Sequence, residues 1–143
     1  MSNDTTSTYD QTEYSRDLSI SATGHDNINE LQDLPGSPFA ETDMKDIYVL
    51  AAAYGYRKDR LADADATGSV ALVQRKTLSE EQEAVMEAIA IAHEDSPLVL
   101  NDQKRIAAIA QRYALGGLEA LVEHCQDADS PREEFISEIS AAR

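Results

Sequence analysis

Met44-Lys45-Asp46-Ile47-Tyr48-Val49-Leu50-Ala51-Ala52-Ala53-Tyr54-Gly55 is the stretch that decides the fold class. Met44, Ile47, Tyr48, Ala51 and Tyr54 recur at helical spacing and share one face. Val49, Leu50, Ala52 and Ala53 widen that face almost to the whole circumference. A helix that is apolar all round belongs at the centre of a core. Thr42 suits the N-cap, and Asp43 and Asp46 fall in the first turns, where the helix dipole favours acids. Gly55 reads as the glycine that ends the helix. A mainly α protein built around this element is expected.

C-terminal to it, residues 57–68 are charged and small, as in a loop. Ser69 to Gln74 has strand character, and Pro97 to Leu100 is the expected partner. A ribbon of two strands persists only with helices packed on it. Ser79-Glu80-Glu81-Gln82 is a capping box. It opens a helix with Val85, Met86, Ile89 and Ala90 inward, running to about His93. Asn101 is placed to cap the next helix, with stripe Ile106, Ile109, Ala110 and Tyr113. Gly116-Gly117 reads as a break, and Leu118, Leu121, Val122 and Cys125 as the stripe of a further helix. Ser130-Pro131-Arg132-Glu133 is a second capping box, with proline at the first helical position, before Phe135, Ile136 and Ile139.

N-terminal to the central stretch, Ile28, Leu31 and Leu34 have the spacing of one docked helix stopped by Pro35-Gly36. Residues 1–25 are dominated by Ser, Thr, Asp, Asn and Gln, with isolated Tyr9, Tyr14, Leu18 and Ile20. Such a segment buries too little apolar surface to offset its ordering entropy. The expected organisation is a disordered acidic and polar tail over residues 1–27 and one helical domain over residues 28–143. That domain is a compact bundle of four or five short helices with at most a small two-stranded β-ribbon.

The 143 residues fit one domain with a tail, too few for a barrel enzyme or a two-domain dinucleotide enzyme. Twenty-seven acids stand against twelve bases, for a net charge of −15, which removes the basic balance of a free nucleic-acid binder. No apolar run approaches the roughly 18 residues needed to cross a bilayer. Met1 to Asp10 lacks the basic start and apolar stretch of a secretion signal, and lone Cys125 forms no internal disulfide. A cytoplasmic, soluble protein is expected. Lysines are scarce, 4 against 8 arginines. Two readings of the charge stand open. One is a halophilic cytoplasm, where a Debye length of about 3 Å at 1 M salt screens self-repulsion. The other is an acidic protein that mimics DNA or docks on a basic partner.

The chain has no glycine-rich phosphate loop with lysine and no G-x-G-x-x-G. His124 and Cys125 are adjacent, about 100° apart on a helix, so they do not readily share a metal. His93 ends a helix, where a cation is favoured without any further role. No serine has the context of a nucleophile elbow. No catalytic residue, metal or cofactor is expected, nor a small-molecule substrate.

One local anomaly remains. Tyr54-Gly55-Tyr56-Arg57-Lys58-Asp59-Arg60 gathers three of the twelve bases within four residues, beside two tyrosines. Cations next to aromatics hold phosphate, stack on a base or dock a carboxylate-rich partner. The plainer account is a helix C-terminus that favours cations, with ion pairs to the abundant acids. Tyr54, Tyr56, Arg57, Lys58 and Arg60 are therefore the candidate partner- or phosphate-binding residues. Lys104, Arg105 and Arg112 form a weaker set on an outer helix face. The helices flanking Gly116-Gly117 invite a helix-turn-helix reading, but the second presents Glu119, Glu123 and Gln126, a poor set for base edges and phosphates.

Ser37-Pro38-Phe39-Ala40-Glu41-Thr42, then Asp46 to Arg57 with its Ala52-Ala53-Tyr54-Gly55-Tyr56 ending, and later Arg112-Tyr113-Ala114-Leu115-Gly116-Gly117-Leu118, resemble one family. It is the family called Dnd system-associated protein 4, small proteins encoded beside DNA phosphorothioation genes. The resemblance covers residues 37–126 and carries no catalytic signature. It implies a non-enzymatic accessory or adaptor subunit of a prokaryotic modification and restriction system. The partners would be proteins of a DNA-defence complex, with any DNA contact indirect. The alternatives are a direct nucleic-acid-binding module using residues 54–60, or an acidic DNA mimic that inhibits a DNA-binding protein.

Overall fold

The computed structural model describes residues 17–127. Its elements, in chain order, are β1 (Asp17–Ile20), α1 (Ala22–Asp33), α2 (Met44–Arg57), β2 (Val70–Gln74), α3 (Glu80–Glu94) and α4 (Gln103–Asp127). Short 3-10 turns at Ala64–Ala66, Arg75–Thr77 and Pro97–Asn101 join them. The chain is mainly α with a two-stranded antiparallel ribbon. Among the described residues, no helix is long and apolar enough to cross a membrane.

The core is organised by α2 against α4, the most extensive pairing in the molecule. As the apolar arc implies, α2 buries Ile47, Tyr48, Val49, Ala51 and Ala52. Its N-cap is Asp43 rather than Thr42, and no side-chain cap bond forms there. The three glycines expected to end or break helices do neither. Gly55 lies inside α2, and α4 runs unbroken for 25 residues through Gly116 and Gly117. A β-carbon on Gly55 would overlap the Tyr113 carbonyl oxygen, one on Gly117 that of Ala51, and one on Gly116 that of Arg60. The glycines let the backbones touch. A glycine inside a helix costs roughly 0.5–1 kcal/mol against alanine, and the close crossing offsets that. With no turn at this point, the helix-turn-helix reading falls.

The ribbon forms, but with a different partner. β2 falls within the expected strand and pairs antiparallel with β1, in the register Leu18 to Val73 and Ile20 to Val70, with an irregularity between Leu18 and Ser19. The segment from Pro97 is a 3-10 turn that buries Val99. The expectation of disorder over residues 1–25, and of a tail to residue 27, therefore fails from Asp17 onward; residues 1–16 lie outside the described part. Leu18 and Ile20 are 1% and 0% exposed. Two inward side chains two residues apart suffice for a strand once α4 covers them, and composition averaged over 25 residues conceals them. Ser21 then caps α1, its Oγ accepting from the Gly24 N–H at 3.1 Å. The single docked helix expected there is longer than its stripe and buries Ile28 and Leu31 fully.

At α3 the capping box is complete. Ser79 Oγ accepts from the Gln82 N–H at 3.1 Å, and Gln82 Oε1 accepts from the Ser79 N–H at 3.0 Å. Gln82 Nε2 also donates to Asp46 Oδ1 at 2.7 Å, which fastens α3 to α2. The cap of α4 is Asp102 rather than Asn101; its Oδ1 accepts from the Arg105 N–H at 3.0 Å. The helix expected after Ser130 lies outside the described residues.

Arg75 is buried between β2 and α3, its side chain 5% exposed, with Nε and Nη2 donating to the Glu83 carboxylate at 3.2–3.3 Å. Tyr48 is fully buried, and its hydroxyl has no hydrogen-bond partner among the described residues. Desolvation by burial pushes its ionisation well above the ordinary value, against a smaller opposing pull from Arg75. The folded chain thus holds the neutral phenol. The stability tied to that state is intact below the ordinary tyrosine pKa of about 10 and drains away as pH climbs beyond it. An unsatisfied buried hydroxyl costs about 1–3 kcal/mol. Tyr48→Phe is therefore expected to raise the thermal midpoint and move alkaline unfolding to higher pH; a lowered midpoint in a thermal melt would show that the hydroxyl is satisfied after all.

Candidate functional site

The five sequence candidates lie where α2 ends, and the helix splits them. Tyr54 and Tyr56 are two residues apart, so their side chains leave α2 on opposite sides, about 200° apart. Lys58 shares the Tyr54 side, its Nζ 5.6 Å from the centre of that ring. Tyr56 is 43% exposed, and its ring stands edge-on to Tyr113 of α4, with centroids 5.4 Å apart and planes at 75°. Arg57 is exposed at the last turn.

Arg60 is ion-paired although its side chain is 37% exposed. Asp59 takes a left-handed conformation, φ 57°, and turns the chain back, so that the Arg60 N–H donates to the Gly55 carbonyl at 2.8 Å. Its guanidinium then reaches α4, with Nη2 2.7 Å from Glu119 Oε1 and 3.8 Å from Glu123 Oε2. Arg60 is the ion-paired helix-end residue of the plainer account. Arg112 Nε, from α4, donates to the Ala62 carbonyl at 2.8 Å and holds the same loop down. Arg105 pairs with Glu94 at 2.8 Å, and that bond lowers the carboxyl's pKa. Two members of the weaker basic set are thus occupied within the fold.

What supports Tyr56 left no local signal in the chain. Behind it, the Tyr113 hydroxyl and His93 Nδ1 are 2.9 Å apart, with the two rings edge-on at 5.5 Å. Burial, then the neighbouring Tyr56 and Asp59, raise the ionisation of Tyr113. The row Tyr56, Tyr113, His93 joins α2, α4 and α3. His93 and Tyr113 are 20 residues apart, and only tertiary packing brings them together.

Two hollows flank Arg60. One, about 560 Å³, is lined by Ser21, Asn27, Asp59, Asp63 and Glu119 among others. The second, about 370 Å³, lies between the ends of α2 and α4 and is lined by Tyr54, Lys58, Ala120, Glu123, His124 and Asp127. Cys125 is buried, and burial raises its thiol pKa, which disfavours the reactive thiolate. No group of three or more His, Cys, Asp or Glu able to hold a metal occurs among the described residues. The arrangement offers contact: an exposed aromatic on a rigid backing, beside cations, in an acidic chain.

A family model described as DNA sulphur modification system-associated protein 4 matches residues 22–143. The match takes in α1 and everything after it, well beyond the 37–126 stretch that carried the resemblance. No curated protein and no solved structure matches the chain.

Proposed function

Because the chain belongs to the family of DNA sulphur modification system-associated protein 4, we propose that it serves such a system as a non-catalytic adaptor. It works in the cytoplasm of a prokaryotic cell, in phosphorothioation-linked defence, and meets a protein partner at the end of α2. Within the candidate set, Tyr56 is the anchor and Arg57 the adjoining cation. The observation that carries this reading is Tyr56, a residue 43% exposed whose ring is backed by Tyr113. Interface hot spots are enriched in tyrosine and arginine. A ring fixed in advance loses little conformational freedom on binding.

Protein is favoured over DNA by charge. Arg60 is paired with Glu119, and Asp59 and Asp63 line the adjoining hollow, in a chain of net charge −15. A duplex would meet repulsion at ordinary salt.

The test is the pair Tyr56→Ala and Arg57→Gln in cells that carry the whole system. Surface changes usually stay within about 0.5 kcal/mol, and a lost aromatic edge contact adds about 0.5–1.5 kcal/mol, so the fold is expected to persist. A hot-spot anchor is worth about 2 kcal/mol or more of binding, so the system's output, sulfur incorporation or restriction, is expected to fall. Normal output from a folded double variant would remove this surface from the account.

A further inference from the structure

The corner between α3 and α4 holds two leucines out of the fold. Leu98 is 73% exposed, the most of any large apolar residue described, and Leu100 is 40% exposed, while Val99 between them is buried. The 3-10 turn that carries them is fastened at each step. Pro97 opens it, and Ser96 Oγ accepts from the Leu98 N–H at 3.1 Å. The Asp102 N–H donates to the Val99 carbonyl at 2.9 Å, and Gln103 Nε2 donates to that of Leu100 at 3.2 Å. The Glu94–Arg105 pair joins the two helices across the corner. A turn fixed in advance loses little conformational freedom when a partner covers it.

We infer that this corner enters an apolar pocket of a partner protein whose rim carries lysine or arginine. The charge around the leucines argues for that occupant. Residues 94–102 carry three acids, Glu94, Asp95 and Asp102, and no base. Glu94 is spent on Arg105, and Asp102 Oδ1 caps α4. Asp95 is exposed, and its carboxylate has no hydrogen bond or ion pair among the described residues. It is also out of place. It ends α3 in a left-handed conformation, φ 55°, where glycine is the usual residue, and its charge meets the negative end of the helix dipole. An acid held there at a local cost, beside exposed leucines, suits a cation that the partner brings. A second copy is the poorer occupant. It carries another net charge of −15, and its hollow beside Arg60 is lined by Asp59, Asp63 and Glu119. The inference goes beyond the adaptor reading, which rests on Tyr56, by giving the chain a second contact and that contact its chemistry.

The test places a photoreactive side chain at the corner. Leu98→p-benzoylphenylalanine is made in the full-length chain and irradiated in cells that carry the whole system, and the linked peptides are sequenced by mass spectrometry. A link to one of the system's proteins, in an apolar stretch beside lysine or arginine, is expected. Asp95→Lys should abolish the link, because like charges then face each other across the rim. Asp95→Gly should weaken the link yet raise the thermal midpoint, since glycine relieves the backbone and removes a charge that the dipole disfavours. A fall in both would make the carboxylate structural and overturn the inference. So would a link to another copy of this chain or to the chain itself, the absence of any link, or a link untouched by Asp95→Lys. The link is read at position 98 alone, so the inference holds or fails apart from the Tyr56 surface.

Discussion

Gly117→Ala is expected to destabilise the protein by about 3 kcal/mol, in the upper range for overpacking a close-fitted core. At an exposed helix position the same change would stabilise, because glycine is about 1 kcal/mol worse than alanine in a helix. Here the added methyl overlaps the Ala51 carbonyl oxygen. Backbone cannot step aside as a flexible side chain does, so α2 and α4 must part. Their separation disturbs Ile47 and Ala51 on one side and Tyr113 and Leu118 on the other, all of them buried. Denaturant unfolding measures the change, and a gain in stability would mean that the helices are not in backbone contact.

The second large effect lies at the N-terminal strand. Leu18→Ala and Ile20→Ala each delete a side chain that is essentially unexposed. The side chains of Ile20 and Leu115 both close on Gly24, where β1, α1 and α4 meet. Truncating a buried leucine or isoleucine costs about 2–5 kcal/mol. A double variant would then approach the 5–15 kcal/mol total of an ordinary domain, and loss of cooperative unfolding is the expected result. By the same argument, deleting residues 1–25 removes β1 and the first turn of α1 and should not be tolerated. A thermal melt unchanged by the double substitution would return this strand to the tail.

These two sites also mark the limits of the sequence. Helix α2 was legible because its apolar arc is wide, and the start of α3 because a capping box is a local, directional pattern. The glycines misled because a glycine pair in a periodic stretch reads locally as a turn; their role is set by a backbone some 60 residues away in the chain. Strand β2 was legible from its short apolar run, but its partner was not, since β1 offers only Leu18 and Ile20 as signal. The candidate site was legible in part. The charge contrast located Tyr56, Arg57 and Lys58 at the surface. It did not reveal that Arg60 is strapped to Glu119, nor that Tyr113 and His93 brace Tyr56, because both depend on how α4 crosses α2.

The central claim is that this chain binds a protein of the sulphur modification system rather than its DNA. The most direct measurement is recovery of the system's proteins on the tagged full-length chain, with and without nuclease, beside the Tyr56→Ala/Arg57→Gln variant. The account predicts that one of those proteins is retained after nuclease treatment and lost from the folded variant. Retention that vanishes with the DNA, and binding to duplex that weakens log-linearly with salt, would contradict it.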